Sequence, residues 1–116
     1  MLKSAVVTCA TILSFSASAE PVKCTITEKF ICDGKDCFRV PRTTWNEIDF
    51  DASLYARCTE FGCEWHPMMT AVSGVWIIID LPARGAFAKV SATDSRFVEV
   101  VTALDEVYVS HGLCGP

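Results

Sequence analysis

Between positions 75 and 114 the chain alternates short apolar, β-branched runs with polar or Pro/Gly punctuation: VWIIID, LPARG, AFAKVS, ATDS, RFVEVV, TALDE, VYVSHGLC. Trp76, Phe87, Phe97 and Tyr108 recur every ten or eleven residues. A strand plus a tight turn, repeated, has that spacing, whereas helices or βαβ units would need a period of 3.6 or longer crossovers. The expected architecture is therefore all-β: a small antiparallel meander closing into a barrel of seven or eight strands, with a two-sheet sandwich as the alternative.

The first nineteen residues have the layout of a secretory signal. Lys3 supplies the basic start, 5–15 the apolar middle, and Ser16-Ala17-Ser18-Ala19 the small-residue end, so cleavage is expected before Glu20. The apolar middle is about half the roughly 20 residues that a membrane helix needs. Cys9 lacks the small residue before it that lipidation requires and is assigned to the leader. This division leaves one domain, 20–116, short enough that its core is thin and that disulfides would supplement it. The expected location is the periplasm or the exterior, with no membrane insertion once the leader is removed.

The remaining 97 residues carry 9 basic and 14 acidic side chains, a formal charge of −5. That balance disfavours nucleic acid and anionic membrane surfaces, and suits solubility or a cationic partner.

Six cysteines follow the leader: Cys24, Cys32, Cys37, Cys58, Cys63 and Cys114. An even count in an exported chain reads as three bridges. VKCTIT at 22–27 alternates as a first strand, and Asp33-Gly34 marks a turn between Cys32 and Cys37. LYARCT at 54–59 is a further strand, after which Glu60-Phe61-Gly62 turns the chain between Cys58 and Cys63. The preferred pairing is thus 24–114, 32–37 and 58–63, the first of these holding the first strand beside the last. The rival set crosses the two inner pairs and staples the two N-terminal hairpins together. Only 66–74 (HPMMTAVSG) does not read as a strand; a helical turn or a loop is expected there.

Few residues offer chemistry. Cys58, Cys63, His66, Met68 and Met69 fall within twelve positions, and imidazole with thioethers suits copper(I), so His66, Met68 and Met69 define an alternative metal-handling site. The plainer reading makes the methionines packing residues. Neither close cysteine pair has the Cys-x-x-Cys spacing of a redox motif. Ser110 and His111 are adjacent on a strand and point to opposite faces, which removes the one nucleophile–base couple. Asp49 and Asp51 share a face that reads as solvated. No cofactor motif is present, and no enzymatic activity is expected. The residues suited to recognition are Tyr55, Arg57, Trp65 and His66 as an aromatic and charged surface, and Arg84 at the tip of the Leu81-Pro-Ala-Arg-Gly85 loop.

Cys24-Thr-Ile-Thr-Glu28 behind a leader, Tyr55-Ala-Arg-Cys58 and the terminal Tyr108-Val-Ser-His-Gly-Leu-Cys114 resemble segments of small cysteine-rich exported proteins of Gram-negative bacteria. The resemblance implies compartment and a β fold but no activity. Periplasmic lysozyme inhibitors are similar in size, export, bridges and barrel shape. Their Ser-Gly inhibitory segment has no counterpart here, since Ser73-Gly74 lacks the residues that follow it. The functional expectation is an exported binding module for a protein or small ligand of the cell envelope, in its sharpest form an inhibitor of a cationic enzyme.

Overall fold

The computed structural model describes residues 20–115; the expected leader and Cys9 lie outside them. Ten strands follow in order: β1 Val22–Cys32, β2 Cys37–Arg39, β3 Trp45–Asp49, β4 Leu54–Thr59, β5 Gly62–Pro67, β6 Met69–Ser73, β7 Trp76–Leu81, β8 Ala86–Ser91, β9 Arg96–Ala103 and β10 Glu106–Gly115. A single 3-10 turn, Pro82–Arg84, links β7 to β8. All the pairings are antiparallel and run in the order β5-β4-β3-β1-β10-β9-β8-β7-β6, with β2 paired to β1 off this path. The result is a nearly closed nine-strand barrel, not a sandwich.

Ten strands exceed the expected seven or eight, and one of them, β6, is there because 66–74 is β structure after all. Met68 is the single residue between β5 and β6, so these strands form almost one continuous segment. Its first half pairs with β4 and its second half with β7. Pro67, which has no N–H to donate, stands where pairing passes from one neighbour to the other. Met68 pins the crossing: its N–H donates to the Ser53 carbonyl at 3.0 Å and its side chain is buried in the core. The Pro-Met-Met sequence masked the strand because the switch of partner interrupts its alternation.

Inward positions follow from register. One row across the sheet is Ile26, Gly112, Phe97, Val90 and Ile77; the next is Lys29, Ser110, Glu99, Ala88 and Ile79. From the other side of β1 come Cys24, Asn46, Arg57 and Glu64, then Val22, Ile48, Tyr55 and His66. Cys24, Ile26, Ile48, Tyr55, Ile79, Phe97 and Cys114 belong to the buried core cluster. Trp76, whose place in the strand rhythm predicts a core position, instead lies on the outer face, where Lys89 and Arg96 cover its ring.

All three preferred disulfides are present: Cys24–Cys114, Cys32–Cys37 and Cys58–Cys63. Each joins residues directly opposite one another in an antiparallel pair. Register alone therefore brings each pair of β-carbons together, and no loop has to rearrange. Three disulfides fit an oxidising compartment. No helix among the described residues is long and apolar enough to cross a membrane.

Gly112 lies inside β10, at a β-bulge where the register with β1 shifts. A Cβ there would meet the Thr25 carbonyl oxygen at 2.1 Å. Backbone offers no rotamer escape, so Gly112→Ala is expected to destabilise the protein by about 1–3 kcal/mol, as overpacking does. A urea midpoint unchanged by the substitution would show that the bulge relaxes freely.

Candidate functional site

Four of the five residues singled out for recognition meet at one place. Tyr55, Arg57, His66 and Arg84 line a single cleft together with Leu81, Ala86, Glu99 and Val101. The alternation of β4 turns Tyr55 and Arg57 inward, β5 brings His66 opposite Tyr55, and the 3-10 turn carries Arg84 to the mouth. Tyr55 is not the surface aromatic expected from the sequence: it is 2% exposed. Trp65, the fifth residue, follows the opposite phase of β5 and lies on the outside.

The centre of the cleft is Glu99, a carboxylate inside the barrel. Its Oε2 accepts from the Tyr55 hydroxyl at 2.5 Å and from Asn46 Nδ2 at 3.1 Å, and its Oε1 accepts from Arg57 at 3.3 Å. Asn46 also donates to the Ala56 carbonyl at 3.2 Å. A buried charge is tolerable when it is paired and hydrogen-bonded, and both oxygens of this one are engaged. Burial, and then the neighbouring Glu99 charge, push the Tyr55 hydroxyl well above its ordinary pKa. Lys29 faces the same interior; burial and then Arg57 lower its pKa, with Glu99 partly opposing.

Glu99, Asn46 and Lys29 were absent from the sequence reading. A signal did exist: Glu99 is in phase with Phe97 and Val101, and Asn46 with Ile48, so each polar residue occupies an inward position. His66 contributes a buried Nε2 with no hydrogen-bond partner; Glu64 Oε1 is 3.4 Å away in a geometry that makes none. The cleft holds only about 10 Å³ for the centre of a water molecule, room for roughly one water. This cleft is thus filled by its own side chains, and an organic ligand has no space in it.

The other sequence candidates are separated. Met68 is buried in the core, whereas Met69 is 64% exposed on the opposite side, so the two thioethers do not share a face with each other. Glu47, Cys58 and Cys63 lie close enough to resemble a metal site, but both sulfurs are committed to a disulfide. Ser110 is buried and His111 exposed, the opposite orientations that their adjacency implies.

With the Glu99 cleft filled, the outer surface offers the distinctive feature. The β4–β5 hairpin turns at Glu60-Phe61, and the Cys58–Cys63 bridge clamps its base. Phe61 projects from this tip, 92% exposed, beside a surface cleft lined by Arg57, Thr59, Gly62, Cys63 and Glu64. Thr59 Oγ1 accepts from the Phe61 N–H at 3.1 Å, which fixes the turn further. Phe50 and Trp65 are exposed on the same group of strands. Residues 44–67 carry Glu47, Asp49, Asp51, Glu60 and Glu64 against one base, Arg57, a net charge of −4. The second stapled tip, 33–36, is polar: Asp33 Oδ1 accepts from the N–H groups of Lys35 and Asp36, and these bonds hold its pKa low. No protein-family model, curated protein or solved structure matches the chain.

Proposed function

We propose that this chain is an exported, disulfide-stapled binding protein that inhibits a cationic enzyme of the envelope by docking the β3–β5 face against it. The observation that carries the reading is Phe61, a fully presented aromatic on a tip clamped by the Cys58–Cys63 bridge, with Glu60 and Glu64 beside it in the chain and Glu47 against the bridge. An exposed aromatic is costly to keep in water, and a rigid tip loses little entropy when it enters a partner's pocket. The acidic side chains around it steer a basic partner and select against acidic ones. The filled cleft supports surface recognition over capture of a small ligand inside it. The role is binding rather than catalysis: the one buried carboxylate spends both oxygens on structural hydrogen bonds.

The test is cross-linked capture from envelope extract with three baits: the native protein, Phe61→Ala, and Glu47→Lys/Asp49→Lys. The expected result is a basic enzyme retained by the native bait, inhibited by it, and bound at least tenfold more weakly by each variant, since a central anchor is worth about 2 kcal/mol or more. Retention should fall with rising salt, as exposed charges are screened. Equal capture by all three baits, or an acidic partner, would sink the proposal.

A further inference from the structure

Opposite in charge to the β3–β5 face is a groove on the outer side of β1, β10, β9, β8 and β7. Two clefts, of about 490 and about 430 Å³, lie side by side, with Thr27 and Leu113 lining both. Together they cross five adjacent strands, roughly 19 Å at about 4.8 Å per strand spacing. Lys23 stands at one end and Trp76 at the other. Lys89 Nζ lies 4.3 Å and the Arg96 guanidinium 5.1 Å from the centre of the Trp76 ring, and all three side chains line the groove. Asp94 Oδ2 holds Arg96 Nε at 2.7 Å, which fixes the guanidinium while leaving its other nitrogens free of carboxylates. Among the described residues no carboxylate pairs with Lys23 or Lys89.

We infer that this groove binds a strand of acidic polysaccharide, with sugar rings lying along Val98 and Leu113 and uronate carboxylates meeting Lys89, Arg96 and Lys23. The chemistry selects this class for three reasons. Cations spaced along a groove, with an apolar floor between them, match a chain whose charges are separated by rings that have apolar faces. Nucleic acid carries a denser charge, which a protein of formal charge −4 repels beyond the groove itself. An extended acidic peptide would dock by adding to a sheet edge, and this groove crosses interior strands whose backbone groups are already paired. Trp76 holds Lys89 and Arg96 against its ring, as Trp45 holds Lys23, so the cations are positioned in advance for an anion.

Titration calorimetry of the oxidised protein at low salt with a galacturonate hexamer tests this site. Saturable binding is expected, weakened at least tenfold by Lys89→Glu and by Trp76→Ala, and unchanged by Glu60→Gln at the β4–β5 tip. The fully methyl-esterified hexamer, which lacks the charges, should bind at least tenfold more weakly. Should Trp76→Ala fail to fold by circular dichroism, Lys89→Glu carries the test, because that change is on the surface. Absence of binding, equal affinity of Lys89→Glu, or equal affinity for oligothymidylate, polyglutamate or lipopolysaccharide micelles would overturn the assignment. Failure here leaves the acidic face untouched, since the two surfaces share no residue.

Discussion

Replacing Cys24 and Cys114 together by Ala is expected to lower the unfolding free energy by about 4–5 kcal/mol, the largest effect of any change to the bridges. The pair spans 90 residues of sequence. Closing so long a loop removes about 4.6 kcal/mol of unfolded-chain entropy in the loop model, whereas each bridge over five positions removes only about 2 kcal/mol. Both cysteines are also buried in the core cluster, so truncation adds a small packing loss. The bridge ties β1 to β10 at the place where the first and last strands of the sheet meet. Urea unfolding of the double variant, beside matched Cys32→Ala/Cys37→Ala and Cys58→Ala/Cys63→Ala variants, measures the ordering. A loss no greater than that of the short bridges would mean that the β1–β10 ladder alone holds the barrel shut. The same series separates stability from function, because only the Cys58/Cys63 variant should loosen the tip that presents Phe61.

The second large effect is expected at Glu99. Glu99→Ala leaves the Tyr55 hydroxyl and Asn46 amide without their acceptor and Arg57 without its counter-charge. Removing one partner of a buried ion pair typically costs 3–5 kcal/mol; the Arg57 side chain keeps some access to water, 33% exposed, so about 3 kcal/mol is expected. Glu99→Gln retains an acceptor for Tyr55 and Asn46 and should cost less, about 1–2 kcal/mol, from the weakened contact with Arg57. A double-mutant cycle with Tyr55→Phe isolates the shared bond, and coupling above about 0.5 kcal/mol is expected. If Glu99→Ala unfolds at the native urea concentration, the network contributes no net stability.

Much of the architecture was legible before any coordinates. The strand rhythm of 75–114, the turns at Asp33-Gly34 and Glu60-Phe61-Gly62, and the two close cysteine pairs are local features. A bridge between hairpin neighbours needs only the turn to be recognised, and the 24–114 pair then follows by elimination. The stretch 66–74 was illegible for a physical reason: its strand changes partners at Pro67-Met68, and alternation reads one partner face at a time. Trp76 was misplaced because a large aromatic on an alternating strand has two possible homes, and the choice of face depends on which cations lie across the sheet.

The site divides in the same way. Tyr55, Arg57, His66 and Arg84 stood out by residue type, but their meeting point depends on β4, β5 and the 82–84 turn curling round a common interior. Glu99 is separated from Tyr55 by 44 positions and from Asn46 by 53, and only closure of the barrel brings them within hydrogen-bond distance. By itself, then, the sequence determined the β class, the strand phases and a preferred disulfide pairing whose rival only the structure removed, because period-two alternation and hairpin turns act over a few residues. The tertiary structure alone decided which face of each strand is inside, and with it the filled cleft, the buried carboxylate and the segregation of acidic and basic surfaces. Those properties belong to side chains far apart in the chain, and curvature and register of the closed sheet set their distances.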